Sequence, residues 1–499
     1  MNQQKLQALL KAGARLSGEQ ELGSLLQTIL SCVMDLAGCD AGTLYLREGE
    51  ALRFCILRNN TLNTYEGGDG RAPSLPPVPL KKENVCALAF LEDRTICIED
   101  VYNSEVCDFS GPIRYDALTG YRTRSMLVVP MHGRGEVLGV LQLINALDEE
   151  GEVCAFSPGM AAVLESVASQ AALAIQNVRY LAEIQELFRS FVRVMSTAID
   201  ARSPYNANHS RRMAENAGRF AAYLNAEARQ NGGEPPFSPA HIEELVMSVW
   251  LHDVGKVTTP LEVMDKAERL LPAQRAAIAQ RMQAIRLAGR IARLEGRITG
   301  EEEQQLAADT RAAEERIAAI SRCGFVQDAE LEWLGELCGR RWQDETGAEH
   351  PWLTAEEAAM LRIRKGTLSN DEREAMQQHV VMTDRLLSQI HFSAGLSHVR
   401  QWAAAHHELL NGKGYPRQLT AGEIPPEVRI LTILDIFDAL VADDRPYKPG
   451  MPVQKALGIL KAMAEQEGAL DPALTNAFIR SRCWQQEAAP GGADPTSAV

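Results

Sequence analysis

The chain has 499 residues, enough for two or more domains, and its apolar and charged content is typical of a soluble globular protein. A formal net charge of −15 argues against general binding to a nucleic acid polymer or an anionic membrane surface. The ten cysteines form no CxxC pair, which indicates reduced thiols in a cytoplasm rather than a disulfide framework. No signal-peptide core and no run approaching the ~20 apolar residues of a membrane span are found, so we expect a soluble, cytoplasmic protein without a membrane partner.

The first 177 residues show helical and strand patterns in turn. Residues 1–21 are predicted to form an N-terminal helix, and the spacing of apolar residues from Leu22 to Ile29 predicts another helix. A long helix is predicted from about Ser157. Between these helices, strands are predicted at 41–46, 52–57, 95–98, 125–130 and 137–144. This order predicts an α/β sensory module with an antiparallel sheet and flanking helices.

Two segments, Tyr115–Met126 and Gly139–Asn145, give residues 22–177 a resemblance to a GAF domain, closest to those of cyclic-nucleotide phosphodiesterases. Members that bind a cyclic nucleotide carry an Asn-Lys pair, then Phe, then Asp-Glu. Asn145 and Phe156 fit that pattern, but Ala146 replaces the lysine and alanines stand where the acidic pair falls. The resemblance therefore leaves the GAF ligand unknown, and a scaffold that serves only for dimerisation remains an alternative.

Residues 158–200 are predicted to form one continuous helix that connects two domains. Its apolar residues give an imperfect 3–4 seam, so we expect a parallel coil of two such helices and a homodimer held by this helix and the GAF domain. The alternative is a helix packed only on its own two domains. The residues of the expected seam are Val163, Val167, Ala171, Leu173, Ile175, Val178, Leu181, Ile184, Leu187 and Val192.

A His-Asp pair, His252-Asp253, lies in an apolar run and is followed by Gly255 and Lys256. Adjacent side chains cannot share one helix face, but both can reach a metal at the end of a helix. The nitrogen and carboxylate suit iron, manganese, cobalt or zinc. Asp435 lies in another apolar segment, where an unpaired carboxylate is costly to bury. Further candidate ligands are His209, His379, His406 and His407.

Residues 188–485 resemble an HD-GYP domain, a branch of the HD phosphohydrolase superfamily. The motifs that carry the resemblance are Ala198–Arg202, His209-Ser210, His252–Lys256, His406–Glu408, Gly414–Pro416, and Asp435 with Asp444–Tyr447. The resemblance implies an all-α domain that hydrolyses cyclic di-GMP.

By the same resemblance, two divalent metal ions, iron or manganese, are expected in each chain. His209, His252 and Asp435 would hold one ion, and His379, His406 and His407 would hold the other. Asp253 would bridge both ions and serve the catalysis. Members with three metals carry a Glu where this chain has Tyr205, which is why two ions are expected.

The resemblance also suggests substrate contacts. Lys256 is expected to stabilise the scissile phosphate as a catalytic residue. Tyr415 matches the family's loop residue near the substrate, while Arg445, Lys448 and Arg212 are candidate phosphate contacts.

An insertion of roughly a hundred residues, at about 267–363, separates the His-Asp motif from the next predicted ligand. Two helices are predicted within it, at 271–295 and 301–321, with a turn near Gly296 to Gly300. A plain antiparallel helical hairpin is the default expectation, because charged, Ala-rich helices are usually solvated structure. A lid or a partner surface remains an alternative. The tail 486–499 is predicted to be disordered.

These expectations combine into a GAF-regulated, metal-dependent phosphodiesterase that converts cyclic di-GMP to pGpG, with GMP as a further product left open. One alternative is an enzyme for another cyclic dinucleotide, such as cyclic GMP-AMP. The other is a catalytically silent or gated receptor that binds the dinucleotide and signals through partners.

Overall fold

The structure, a computed structural model, describes residues 19, 21–68, 70–203, 208–442 and 450–485. The chain divides into two compact units, Met1–Phe188 and Arg189–Val499. The expected N-terminal helix falls almost entirely outside the described residues, and the expected disordered tail falls wholly outside them.

The first unit is built on one antiparallel sheet. Its strand order is β3-β2-β1-β7-β6-β5, with β4 paired to β2 and β8 paired to β7. The strands are β1 Cys39–Glu48, β2 Ala51–Asn59, β3 Thr64–Gly67, β4 Val78–Pro79, β5 Ile96–Ile98, β6 Met126–His132, β7 Val137–Leu147 and β8 Val153–Cys154. The helices are α1 Leu22–Ala37, α2 Val85–Glu92, α3 Ser110–Thr119 and α4 Pro158–Asp200.

Alternation along the strands gives the sheet two buried faces. On β1, Leu44 and Leu46 join a core formed with α1 and α4, while Tyr45 points to the opposite face and packs in a second core that includes α2. The five predicted strands and the closing helix are therefore confirmed, as is the predicted α/β class.

Helix α4 is, within the described ranges, the one helix long and apolar enough to cross a membrane by length and composition. The core helix of a soluble protein passes the same test, and a third of the most apolar window is buried. Leu164, Val167 and Ala171 belong to that buried part and pack in the core of the first unit. Packing against the sheet therefore explains why this part of α4 is apolar.

The second unit is mainly helical. Its helices outside the insertion are α5 His209–Gln230, α6 Pro239–Leu251, α7 Leu261–Met264, α12 Asn370–Leu387, α13 Val399–Ala403, α14 Pro426–Val441, α15 Val453–Glu465 and α16 Pro472–Ser481. Helix α14 is buried on nearly all sides, and α5, α6, α15 and α16 contribute to the core around it.

The insertion folds as a module with its own core. It contains α8 Pro272–Leu294, α9 Gly300–Arg322, α10 Asp328–Gly339, β9 Arg341–Gln343, β10 Glu349–Pro351 and α11 Ala355–Leu361. The two predicted helices are confirmed, and they pack on each other as the expected hairpin; the insertion also contains α10, α11 and two short strands, which the sequence did not predict. Ile278, Met282 and Ile285 of α8 pack against Leu334 of α10 and Trp352 in one cluster, so the second half of the insertion is part of the fold.

Candidate metal centre

The seven predicted metal ligands converge from separate elements of the second unit. His209 is the first residue of α5, and His252-Asp253 follow the end of α6. His379 lies in α12, His406-His407 follow α13, and Asp435 lies in α14. Two trios have donor atoms within 4.8 Å of one another: His209 with His252 and Asp253, and His379 with His406 and His407.

Asp253 belongs to the first trio and also lies next to the second. Its Oδ2 is 3.2 Å from Nε2 of His252 and 3.7 Å from Nε2 of His209. Its Oδ1 is 3.4 Å from Nε2 of His379 and 3.8 Å from Nε2 of His406. Oδ1 is buried and has no hydrogen-bond partner. A buried, unpaired carboxylate oxygen is costly, and a cation on each side of the carboxylate would satisfy it.

Asp435 also faces both trios. Its Oδ1 is 3.5 Å from Nε2 of His209, and its Oδ2 is 3.5 Å from Nδ1 of His407. The geometry therefore places this carboxylate beside the ion predicted for His209 and beside the neighbouring trio. Its assignment to the first ion stays a prediction.

Three of the histidines are oriented by the backbone three residues earlier. Nδ1 of His252 donates to the carbonyl of Val249 at 2.6 Å. The same bond joins His379 to the carbonyl of Met376 at 2.6 Å, and His406 to the carbonyl of Ala403 at 2.7 Å. With Nδ1 used in this way, the lone pair of Nε2 points into the centre, as a metal ligand requires.

His209, the first residue of α5, is oriented differently, by a side chain. Its Nδ1 lies 2.7 Å from Oδ2 of Asp438. Arg212 holds the same carboxylate through two bonds of 3.0 Å. The structure therefore gives Arg212 a role in holding Asp438, whereas the sequence suggested a substrate contact, which stays a prediction.

The sequence analysis did not identify Asp438 as a residue of the centre. Its position could have indicated this role, because Asp438 is a second carboxylate in the same apolar helix, three residues after Asp435. Residues at that spacing are neighbours on a helix face.

The pKa shifts at the centre favour metal binding at most of the predicted ligands, whereas His209 must lose a proton when it binds a metal. Burial disfavours protonated His209, but contacts with Asp435 and Asp438 outweigh burial and raise the pKa of His209 to about 10. Burial lowers the pKa of His379 and His406, and lowers that of His407 to about 4. These three imidazoles are therefore neutral at neutral pH, as metal ligands must be, and the carboxylate of Asp253 is ionised.

The carboxylate in question is that of Asp253. Burial by itself favours its neutral form, but His252 and Lys256 outweigh burial and hold the pKa of Asp253 well below its ordinary value. Nζ of Lys256 lies 2.5 Å from Oδ2 of Asp253. Arg202 donates to the carbonyl of Lys256 at 2.6 Å and so fixes the backbone there. The centre therefore includes a fixed cation beside the carboxylate that joins the two trios.

Gly255 allows the His-Asp turn to pack tightly on α12. A Cβ at this position would lie 1.9 Å from the carbonyl oxygen of His379 and 2.6 Å from the amide nitrogen of Thr383. The Thr383 hydroxyl accepts from the amide of Gly255 at 3.0 Å and donates to the carbonyl of His252 at 2.9 Å. Thr383 thus holds the two ligand-bearing segments together, a role that the sequence did not reveal.

A second close packing positions Tyr415. Its ring lies 4.7 Å from that of His407, at an angle of 34°. A Cβ on Gly414 would lie 2.4 Å from the amide nitrogen of Leu409, so only glycine lets the loop approach. Buried Glu408 accepts from the amides of Arg417 and Leu419 at 2.7 and 2.9 Å and holds the loop in place. Tyr415, which the sequence placed near the substrate, therefore lies next to the candidate metal centre.

Several predicted residues lie outside the described residues. These are Arg445 and Lys448, with the motif Asp444–Tyr447, and Tyr205, on which the expectation of two ions rests. Their roles stay predictions. The donors that the structure does place, five imidazoles and two carboxylates around an unpaired oxygen, fit divalent ions such as iron or manganese.

Comparison with known families agrees with this division of the chain. A GAF domain model matches residues 21–175, and an HD domain model matches residues 354–474. The chain therefore contains a GAF domain and, after it, an HD domain, over the residues matched. The HD match begins near the end of the insertion, so it includes His379 but neither His209 nor His252.

The chain is also similar to several bacterial phosphodiesterases. It is 39% identical to the 3'3'-cGAMP-specific phosphodiesterase 3 of Vibrio cholerae serotype O1 over 109 residues. The aligned stretch covers 22% of this chain and 22% of the relative. It is 28% identical over 265 residues to the cyclic di-GMP phosphodiesterase response regulator RpfG of Xanthomonas campestris pv. campestris, covering 50% of this chain and 65% of the relative. A cyclic di-GMP phosphodiesterase of Thermotoga maritima is 34% identical over 120 residues, covering 24% and 32%. The chain thus spans less than two thirds of the length of these relatives.

Proposed function

We propose that this chain is a metal-dependent phosphodiesterase that hydrolyses a cyclic dinucleotide, with cyclic di-GMP as the first candidate substrate. The observation that carries the proposal is the position of Asp253. One of its oxygens lies near the ring nitrogens of His209 and His252. The other lies near those of His379 and His406 and has no hydrogen-bond partner. A carboxylate shared in this way suits a two-metal hydrolytic centre.

The residues would divide between two divalent ions, iron or manganese. His209, His252 and Asp435 would hold one ion, His379, His406 and His407 would hold the other, and Asp253 would contribute to both. When bound, two such ions activate water and stabilise negative charge on phosphate oxygens.

The surrounding side chains would position the substrate. Lys256 carries a positive charge beside Asp253, where it can bind a phosphate oxygen and stabilise the charge that develops during cleavage. Tyr415 presents an aromatic ring next to His407 at the end of a fixed loop. Arg445 and Lys448 continue as candidate phosphate contacts.

A second candidate substrate is 3'3'-cyclic GMP-AMP. The 39% identity to a phosphodiesterase specific for that dinucleotide favours it, whereas the longer alignment, with RpfG, favours cyclic di-GMP. Both substrates are anionic cyclic dinucleotides with two phosphodiester bonds, so the same centre could cleave either. We propose pGpG as the product from cyclic di-GMP, and control of turnover by an unidentified ligand of the GAF domain.

The test is turnover by the purified full chain, loaded with iron or manganese, on each dinucleotide separately. Asp253→Ala should lower turnover on the order of 1,000-fold or more and lower the metal content, because the shared ligand is lost. Asp384→Ala is the matched control, since Asp384 is a half-exposed carboxylate paired with Arg400 in the same unit. It should keep both properties.

The outcomes separate the alternatives. Turnover of cyclic GMP-AMP alone would replace the first candidate substrate by the second. Binding of a dinucleotide without turnover, in protein with its metal sites filled, would overturn the enzyme and favour a receptor. Analysis of the product by chromatography distinguishes pGpG from GMP.

A further inference from the structure

Trp402 lies in the second unit, stacked on two imidazole rings that are not among the predicted metal ligands. Trp402 itself is buried, with 4% of its surface exposed. The ring of His398 stacks on it with centroids 5.3 Å apart and an angle of 12° between the planes. The ring of His241 stacks on it at 5.5 Å and 30°. Stacked aromatic rings attract each other beyond the effect of burial alone, so these contacts hold Trp402 in a defined position.

Buried carboxylates hold both imidazoles. Nε2 of His241 lies 3.0 Å from Oε1 of Glu427. Nδ1 of His398 lies 3.2 Å from Oε1 of Glu244, and the same oxygen accepts the backbone N–H of His398 at 2.6 Å. Both glutamates are buried, so each needs such partners. We call these five residues the Trp402 cluster: His241, Glu244, His398, Trp402 and Glu427.

The Trp402 cluster connects helices that carry or precede predicted ligands. Helix α6 supplies His241 and Glu244, and the His-Asp pair of the first trio follows its end. Helix α14 supplies Glu427 and contains Asp435. Helix α13 supplies Trp402, and two histidines of the second trio follow it. The cluster therefore joins the second trio to the helices that position ligands predicted for the first ion.

The position of α13 depends on its neighbours. This helix has five residues, too few to be stable by itself. Its Arg400 pairs with Asp384 of α12, but both side chains are about half exposed, and such pairs contribute little. The buried side chains of α13 are those of Val399, Trp402 and Ala403, and that of Trp402 is by far the largest. Trp402 is therefore the main anchor of α13.

Trp402 is also adjacent to the group that orients a ligand. The carbonyl of Ala403, the next residue, accepts from Nδ1 of His406 at 2.7 Å. A shift of Trp402 would move this carbonyl and turn Nε2 of His406 away from its ion. We propose that Trp402, held by its cluster, positions His406 and His407 for the second ion. This inference rests on the two-metal centre proposed above.

The test measures binding of cobalt(II) to the metal-free, full-length protein without any nucleotide. Visible absorption at saturating cobalt reports the geometry of the ligands, and competition with a chelator gives the affinities. The parent should bind two ions. Trp402→Leu should bind one of them about 10- to 100-fold more weakly, the usual effect of disturbing the bond that orients a metal-binding histidine, and should change the absorption spectrum. Trp402→Phe keeps a ring in the cluster and should restore both properties.

Trp484→Leu is the matched control, because Trp484 packs on the same hydrophobic core, against Phe437 and Phe478. It should lower the stability of the protein and leave the cobalt affinities and spectrum unchanged. Equal changes in both leucine variants would reduce Trp402 to general packing and overturn the proposal. Cobalt binding by Trp402→Leu that matches the parent would overturn it as well.

A second variant does not depend on the folding of Trp402→Leu. His398→Ala removes one ring of the cluster at a position where the side chain is 56% exposed, so the fold should be kept. It should weaken the same ion, by a smaller factor than Trp402→Leu does, whereas His391→Ala, at an exposed histidine outside the cluster, should have no effect. Unchanged cobalt binding in His398→Ala would contradict the role of the cluster.

Failure of the metal centre is distinguishable from failure of this inference. A parent that binds no cobalt would overturn the two-metal centre and the role of Trp402 with it. A parent that binds two ions, with one of them weakened in Trp402→Leu, supports the role of Trp402 even if no cyclic dinucleotide is hydrolysed. In that case only the proposed activity would be overturned.

Discussion

Asp438 lies 2.7 Å from Nδ1 of His209 and orients a predicted metal ligand through a side chain. His209 is the first residue of α5, so α5 itself contains no earlier carbonyl that could orient the ring. The other histidines at the centre with an assigned Nδ1 bond, His252, His379 and His406, use such a carbonyl. At His209, the hydrogen bond that orients the ring thus comes from the side chain of Asp438, which Arg212 holds in place. At the other three histidines it comes from a backbone carbonyl three residues earlier.

Replacing Asp438 by Asn should weaken metal binding about 10- to 100-fold, the usual effect of losing a carboxylate that orients a metal-binding histidine. The amide can present its NH₂ to Nδ1 and no longer fixes which nitrogen carries the proton. Competition with a chelator of known affinity measures the change, and circular dichroism checks the fold.

Asp384→Asn is the control for this prediction. Asp384 forms the same two-bond pair with an arginine, Arg400, but lies on the surface and touches no histidine of the centre. Metal affinity that falls equally in both variants, or in neither, would contradict the role given to Asp438.

Gly255→Ala should destabilise the second unit by about 1–3 kcal/mol, the usual effect of overpacking. The added methyl group would lie 1.9 Å from the carbonyl oxygen of His379, so the His-Asp turn must move away from α12. Such a movement separates Asp253 from His379, and metal content should fall as well. Denaturant unfolding and metal analysis measure the two effects.

Gly458→Ala is the control for this prediction, because the same substitution should here raise the free energy of unfolding instead of lowering it. Gly458 lies inside α15, and a Cβ there meets no atom within 4 Å. Alanine in a helix interior should stabilise the protein by about 0.5–1 kcal/mol. Destabilisation by both variants would mean that close packing at Gly255 is not the cause.

Metal should stabilise the second unit against unfolding. At a free metal concentration about 100 times the dissociation constant, binding to the folded state alone adds about 2.7 kcal/mol. Thermal unfolding of the parent should therefore shift upward when manganese is added to metal-free protein. Asp253→Ala should show little of this shift, because it lacks the shared ligand; an equal shift would place the bound metal elsewhere.

Arg269→Met should loosen the inserted module. Arg269 is fully buried, and its guanidinium donates to the carbonyls of Ile320 at 2.7 Å and Ile363 at 2.8 Å, and also to that of Cys323. Loss of these bonds leaves buried carbonyls unpaired and should destabilise the module on the order of 3 kcal/mol. Faster amide hydrogen exchange in α8 and α9 measures the change. Arg290→Met, at an exposed position of α8, should leave exchange unchanged, and equal acceleration in both would contradict the role of Arg269.

The ligands of the centre could be predicted from sequence because each lies in a short motif. His252-Asp253 and His406-His407 are adjacent pairs, and Asp435 is a carboxylate in an apolar helix. The orienting groups could not be predicted in the same way. Thr383 acts through hydrogen bonds to residues far away in the chain, and a threonine in a helix gives no sign of such a contact.

The second half of the insertion was missed for a related reason. Helix α11 has seven residues and the two strands beside it have three each, too short for a hydrophobic period to develop. Their place in the module depends on tertiary contacts, such as Trp352 packing with Met282 of α8.

The insertion lies between two ligands of one centre, and its ends are joined where the Thr367 hydroxyl donates to the carbonyl of Lys266 at 2.9 Å. The two ends of the insertion are therefore held next to each other by this hydrogen bond. During synthesis, Asp253 leaves the ribosome roughly 10 to 40 s before Asp435, at typical rates of chain elongation. The inserted module and its own core are therefore synthesised after the first trio of donors and before the second. Metal can therefore be held by the complete ligand set only after most of the second unit has been made, which places metal acquisition among the last steps of this protein's maturation.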